Sequence, residues 1–233
     1  MKLKNILSDA TYDKYIKPIQ INLLQSAGRR IYAQEGEDII IERMLGSKKS
    51  GFYIDIGAHH PYRFSNTYYF YKKGWSGINI EPNPELFKYF KQSRKRDINL
   101  NIGLSSKPQE LKYYYFDEPA MNTFSSTAID HIRASGHRLL HTAMIPTTTL
   151  TLALQPYTLP AEIDFMTIDA EGLDYDIIQS NDWSRINPKL ILIETKAESL
   201  RELLESEVTQ YLATKHYIPV SKLNNTSIYK KTH

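Results

Sequence analysis

The sequence predicts an α/β fold built on a mostly parallel sheet and closed by a C-terminal antiparallel hairpin. Three observations predict it. Short isoleucine-rich apolar runs recur from residue 51 onward, helical patterns with start signals separate them, and two strand-like runs flank a polar turn near the end.

The first run, GFYIDIG (Gly51 to Gly57), ends in an acid and a glycine, and the second, SGINIE (Ser76 to Glu81), ends in an acid. Asn83 then caps a helix with Pro84 at its first position, which places Leu86, Phe87 and Phe90 on one face. INLNIGL (Ile98 to Leu104), IDFMTID (Ile163 to Asp169) and KLILIE (Lys189 to Glu194) supply three further buried strands. Thr195 and Glu198 have capping-box spacing, and Leu200, Leu203, Leu204, Val208, Tyr211 and Leu212 continue as one apolar stripe, read as a core face. YIPVS and TSIYKK flank Asn224 and Asn225 as a hairpin. Alternating strands and helices imply right-handed crossovers and a ligand crevice at the strand C-terminal ends.

With no internal repeat or linker, residues 1 to 233 read as a single domain. Residues 1 to 30 read as a partly amphipathic helical cover or partner surface, interrupted at Pro18, and leave a homodimer open. Residues 105 to 162, with KYYYF and TTTLTL, read as a long irregular insertion that would bind the acceptor.

Composition excludes several classes. The 233 residues contain no cysteine, so disulfides, thiolate metal sites and a cysteine nucleophile are ruled out, and the chain fits a reducing cytoplasm. No uncharged apolar run approaches the roughly 20 residues of a membrane span, and the start lacks a signal-peptide core. A net charge of +3 gives no case for nucleic acid, and the basic run Arg94 to Arg96 reads as a solvated helix end. Seventeen tyrosines against eight phenylalanines favour surfaces that are half apolar and half hydrogen-bonding.

The chemistry concentrates at the strand ends. Glu81 follows Asp55 by 26 residues and is placed to take both hydroxyls of an adenosine ribose, while the turn at Gly57 lets a cofactor approach the backbone. A dinucleotide would need a glycine-rich turn into a helix for its pyrophosphate, and only Gly57 is present in that stretch. S-adenosylmethionine carries no phosphate, and its ammonium can be met by carboxylates, so these residues favour it. A nicotinamide-dependent oxidoreductase and a non-catalytic partner subunit are the alternatives. At the later strand ends Asp174 reads as a helix cap, while Asp169 and Glu171 read as crevice residues. With Glu194 they could also hold a divalent ion through oxygen ligands.

YAQEGEDIIIERML (Tyr32 to Leu45), GFYIDIGAHHP, SNTYYFYKKGWSGINIEPNPELF (Ser65 to Phe87), FMTIDAEG (Phe165 to Gly172) and LILIE (Leu190 to Glu194), taken in order, resemble the FkbM family of S-adenosylmethionine-dependent O-methyltransferases. The resemblance implies a class I methyltransferase, Rossmann-like fold with a seven-stranded sheet and helices on both faces. It also implies Asp55 and Gly57 at the methionine end of the cofactor, Glu81 on the ribose, Asn101, Gly103 and Leu104 near the adenine, and Asp169 beside the methyl group. Ala58, with His59 and His60, stands where the wider class has further glycines, and Pro82 is counted with Glu81 among the cofactor-binding residues. Gln34 and Glu35 could close over the cofactor, or Glu35 to Asp38 could simply start a helix. Asn66, with Ser65 and Thr67, could meet the cofactor carboxylate while also capping the aromatic helix TYYFYKKGW.

Methyl transfer to a sugar or similar hydroxyl on a small-molecule or glycan acceptor needs a base to take the proton. The candidates are His60, Asp169 and Glu171, with a metal ion as the alternative. His131, His137 and His141 are candidates for the acceptor site.

Overall fold

The apolar runs become strands because both faces of the sheet they form are covered. The computed structural model describes Thr11, residues 30 to 46 and residues 48 to 232. The chain divides into two compact units, 1–31 and 32–233. The helical cover expected over residues 1 to 30 lies outside the described residues, apart from Thr11 and Arg30.

In the second unit α1 (Glu37–Leu45) precedes β1 (Phe52–Ile56), α2 (Tyr68–Lys72), β2 (Ser76–Ile80), α3 (Pro84–Ser93) and β3 (Ile98–Leu100). Then come β4 (Gly103–Leu104), β5 (Gln109–Phe116), α4 (Ile129–Ala134), β6 (Leu139–Thr148) and α5 (Leu150–Leu154). The chain continues through β7 (Phe165–Ile168), α6 (Asp174–Gln179), β8 (Leu190–Glu194), α7 (Leu200–Glu205) and α8 (Glu207–Thr214), and ends with β9 (Tyr217–Lys222) and β10 (Thr226–Lys231). Seven strands form one sheet in the order β3-β2-β1-β7-β8-β10-β9, with β10 antiparallel to both neighbours and the other pairs parallel. The chain runs outward from β1 to β3, then returns to place β7 on the other side of β1. The β1/β7 junction is therefore the switch point where such sheets open a ligand crevice.

Side chains of period two divide the core. Ile54, Ile56, Met166, Ile168, Ile191 and Ile193 pack on one face with Ile177 and Ile178 of α6 and Leu212 of α8. Tyr53, Phe165, Leu190 and Leu192 pack on the other with Ile41 of α1 and Phe70 of α2. Two covered faces explain why these strands read as continuous apolar runs. On the second face, one step beyond Tyr53 and Phe165, the register sets Asp55 against Asn79 and Thr167. The sheet thus turns polar at its C-terminal edge.

Three expectations are corrected. Residues 105 to 162 are not irregular: β5 and β6 pair antiparallel from Gln109↔Thr147 to Phe116↔Leu139 and, with β4, build a second, three-stranded sheet. Three successive tyrosines and the polar side chains and Pro146 of β6 hide the alternation there. INLNIGL is two strands in two sheets, because after Leu100 the chain leaves the main sheet and Gly103 pairs with Thr147. The helix after β8 starts at Ser199 rather than Thr195 and breaks at Ser206, which has extended backbone and accepts from Thr209 N at 3.2 Å to cap a second helix. The Asn83 cap is present, with its Oδ1 accepting from Glu85 N at 2.9 Å. Among the described residues no helix is long and apolar enough to cross a membrane.

Two glycines test the packing. A Cβ on Gly77 would lie 2.2 Å from the Tyr53 ring and 2.4 Å from its carbonyl oxygen, whereas one on Gly74, at φ +96°, meets nothing within 4 Å. Gly77→Ala is expected to cost about 3 kcal/mol through overpacking and Gly74→Ala only about 1 kcal/mol through backbone strain. Urea unfolding midpoints check the order, and equal losses would contradict it.

Candidate active site

The ends of β1, β2 and β7 are drawn together by backbone. Gly57 N and Ala58 N both donate to Ile80 O, at 3.0 and 3.1 Å, and Asp169 N donates to Ile56 O at 3.0 Å. Gly57 has φ +72°, and a Cβ there would fall 1.8 Å from the Asp169 carbonyl oxygen. Glycine is required by this crossing itself. Above it opens a cavity of about 880 Å³, within the range of small-molecule sites.

Carboxylates dominate the charged groups of the lining. Glu35, Glu37, Asp55, Glu81, Glu118, Asp169, Glu171 and Glu194 face it, against Arg63 and Lys196, and Arg63 is already held by both oxygens of Glu118 at 2.9 and 3.1 Å. Burial raises Asp55 to about 6, against the lowering effect of the Thr67 hydroxyl at 2.6 Å and of Arg94. Glu81 is 3% exposed. Burial lifts its carboxyl from 4.5 to about 8, although its two oxygens accept from His59 N at 2.8 Å and Asn83 N at 2.7 Å. Burial, then the charges of Asp169, Glu194 and Asp174, raise Glu171 to about 10.

Asp169 is raised well above the ordinary range by burial at the cavity floor and by Glu194, Asp174, Asp55 and Glu37. Such a cavity favours a cationic ligand, whose charge would let these groups ionise. A pyrophosphate would meet the same carboxylates. It would also find no helix opening directly from the turn after β1, since residues 57 to 67 pass as loop before α2 begins.

Of the sequence-predicted cofactor residues, Gln34, Asp55, Gly57, Ala58, Asn66, Glu81, Pro82, Leu104 and Asp169 line the cavity. Asn101 and Gly103 are not in the lining. Asn101 donates to the carbonyls of Glu81 and Pro82 at 2.8 and 3.0 Å, and Gly103 packs against Thr147 and Phe124. Glu35 lines the cavity and accepts from Asn225 N, while the helix start falls to Gly36 and Glu37. Asp174 accepts from Ala170 N and Gly172 N and holds the loop after β7. Asp169, Glu171 and Glu194 all face the cavity, yet among the described residues no group of three or more His, Cys, Asp or Glu is placed to hold a metal ion.

His60 is corrected. Its Nδ1 accepts from Arg63 N at 3.2 Å and Tyr62 N at 3.4 Å, its ring packs on Tyr62 and Tyr89, and it does not line the cavity. The neighbour faces inward instead. His59, at φ +51°, lines the cavity, and its buried Nε2 has no hydrogen-bond partner among the described residues. Burial, then the charges of Arg63 and His60, lower its pKa to about 4, so the ring is neutral near pH 7.

The 105–162 segment closes one wall with Tyr113, Asn122, Phe124 and His131. His137 lies 3.5 Å from Asp117, and His141 stacks on Tyr115. Neither reaches the cavity. Tyr68, Tyr69 and Tyr71 of α2 are likewise absent from its lining.

Sequence reasoning missed Arg94, which is 0% exposed rather than solvated. It also missed Lys196, which lines the cavity. A basic run at a helix end carries no local mark that its first member turns inward.

The chain belongs to the Methyltransferase FkbM domain family, whose match spans residues 55–218. No curated protein sequence matches it significantly. Among solved structures it is similar to the methyltransferase FkbM of Methylobacillus flagellatus KT, with 13% identity and a TM-score of 0.48 over 78% of this chain; it spans 44% of that protein's length. It is also similar to a TehB-like SAM-dependent methyltransferase from Corynebacterium glutamicum, with 13% identity and a TM-score of 0.42, covering 97% of this chain and 100% of that one.

Glu81 makes the site's electrostatics measurable. Its folded pKa is raised, so the folded protein holds a proton through the window from 4.5 to about 8 that the unfolded chain releases. That stability is full below 4.5 and lost as pH rises through about 8. The urea midpoint of the ligand-free protein is therefore expected to fall between pH 6 and 9, and Glu81→Gln, which cannot ionise, should flatten the fall. Identical slopes in the two proteins would refute the assignment.

Proposed function

We propose that the protein transfers a methyl group from S-adenosylmethionine to a hydroxyl, on a sugar or a glycosylated metabolite. The observation that carries the reading is the carboxylate-lined cavity at the β1/β7 switch point in a chain of this family. It suits a ligand bearing an ammonium and a sulfonium, and its donor set lacks the glycine-rich turn a pyrophosphate needs.

Asp55 and the bare backbone of Gly57 would take the methionine end, Glu81 the ribose hydroxyls, and Leu104 and Pro82 the adenine side. Each Glu81 oxygen accepts one backbone N–H and keeps capacity for a ligand hydroxyl. When bound, the cofactor supplies a methyl group already activated for in-line displacement, so the protein's work is mostly positioning. Asp169 and Glu171 lie at the reacting end. Tyr113, Asn122 and His131 offer ring and polar contacts for a hydroxylated acceptor.

His59 takes the part expected of His60. A neutral ring that lines the cavity, with a buried Nε2 that has no partner among the described residues, can accept a proton from an acceptor hydroxyl brought against it. The acceptor hydroxyl becomes strongly acidic as its oxygen bonds to carbon, so even a weakened imidazole suffices.

Calorimetry with S-adenosylmethionine tests the cofactor. Saturable binding that weakens in Glu81→Ala is expected; no binding at millimolar ligand, or saturable binding of a nicotinamide dinucleotide instead, would sink it. For the base, His59→Ala should lower kcat by about 100-fold or more while leaving cofactor affinity in place, and His60→Ala should change kcat far less. The reverse order would return the base to His60.

A further inference from the structure

Outside the cavity, the most unusual group among the described residues is a guanidinium sealed from water. Arg94, at the end of α3, donates from Nη2 to Ser65 Oγ and Thr67 Oγ1, both at 3.0 Å, from Nε to Pro61 O at 2.9 Å, and from Nη1 to Tyr53 Oη at 3.0 Å. We infer that Thr67, oriented by Arg94, is a positioning residue that keeps Asp55 ionised as the anchor for a cationic ligand; the inference rests on the cofactor reading above.

Donor counting gives the direction of every bond. A guanidinium has donors only, so both hydroxyls must accept from it. Ser65 Oγ also accepts from Tyr68 N at 3.1 Å, which fills its two lone pairs and leaves its proton for Thr67 Oγ1 at 3.3 Å. Thr67 then accepts twice, and its single proton has one acceptor left, Asp55 Oδ2 at 2.6 Å. The hydroxyl cannot turn round to accept a proton from Asp55. It therefore stabilises only the carboxylate form, which burial opposes. The isolated sequence features, an SNT tripeptide and a basic run, become one relay from Arg94 to the cavity.

Other groups face Asp55. Glu81 lies at the end of β2, Asp169 at the end of β7, Asp97 before β3, Arg94 at the end of α3, and Tyr53 on its own strand. Glu81 and Asp169 titrate in the same cavity, so the informative quantity is the difference between wild type and a variant that leaves them in place.

The test measures S-adenosylmethionine affinity by calorimetry from pH 5.5 to 8.5 for wild type, Thr67→Val and Thr67→Ser, with circular dichroism confirming the fold. Affinity in wild type should rise with pH as Asp55 ionises. Thr67→Val keeps the shape and removes the proton donor, and its profile should move up by about one pH unit, a roughly ten-fold loss near pH 6 that fades at pH 8.5. Thr67→Ser should restore the wild-type profile. A Val variant weakened equally at all pH values, a Val variant unchanged, or a Ser variant that behaves as Val would each overturn the inference. Wild type that binds no cofactor at any pH would overturn the cofactor reading instead.

Discussion

The structure depends on one buried cation. Arg94 is 0% exposed, and moving a guanidinium out of water costs several kcal/mol unless its donors are met. Here they are met by three parts of the chain that must coincide for the site to exist: Tyr53 on β1, Asp97 before β3, and the loop from Pro61 to Thr67. The faces of Tyr68 and Tyr71 cover it at 5.2 and 4.8 Å. Asp97 is tied further by Tyr53 Oη at 2.7 Å, Gly77 N at 2.9 Å and Asn79 Nδ2 at 3.0 Å. The cluster therefore fixes the path of the loop after β1 against three strands at once.

That fixed loop allows the cavity to be so acidic. Carboxylates crowded at the ends of four parallel strands repel one another, and protonation relieves the repulsion. Fixed backbone donors from Ala170, Gly172, His59 and Asn83 are spent on Asp174 and Glu81 rather than on a phosphate. A cation entering the cavity would displace protons, which couples its affinity to pH.

The sheet was legible in the sequence because both of its faces are buried, and a strand buried on both faces shows as an unbroken apolar run. Asp55, Gly57, Glu81 and Asp169 were legible for a related reason: each is a polar residue or glycine at the end of such a run. The second sheet was not, since three successive tyrosines in β5 and the mixture of His141, Thr142 and Pro146 with apolar residues in β6 break the alternation that marks a strand. Nor was the departure of Asn101 and Gly103 from the cavity. INLNIGL alternates as one strand would, and only the pairing of Gly103 with Thr147 reveals that the chain has changed sheets. Arg94 lies 41 residues from Tyr53 and 33 from Pro61 in sequence, so only the packing of α3 and the loop after β1 against the sheet brings them together.

The histidine pair shows what a local reading can and cannot reach. Adjacent side chains diverge in nearly any backbone, so one of His59 and His60 had to turn away from the crevice. Which one depends on how the loop leaves β1. Glu81 accepts the His59 N–H and the residue takes up positive φ, a conformation that costs about 1 kcal/mol or more and needs such a tether. The reversal sends the His59 ring into the cavity and leaves the His60 ring to gather the N–H groups of Tyr62 and Arg63. Glu81 therefore acts twice. The carboxylate assigned to the ribose also sets the orientation of the imidazole assigned to the proton, and any change to it acts on both ends of the site.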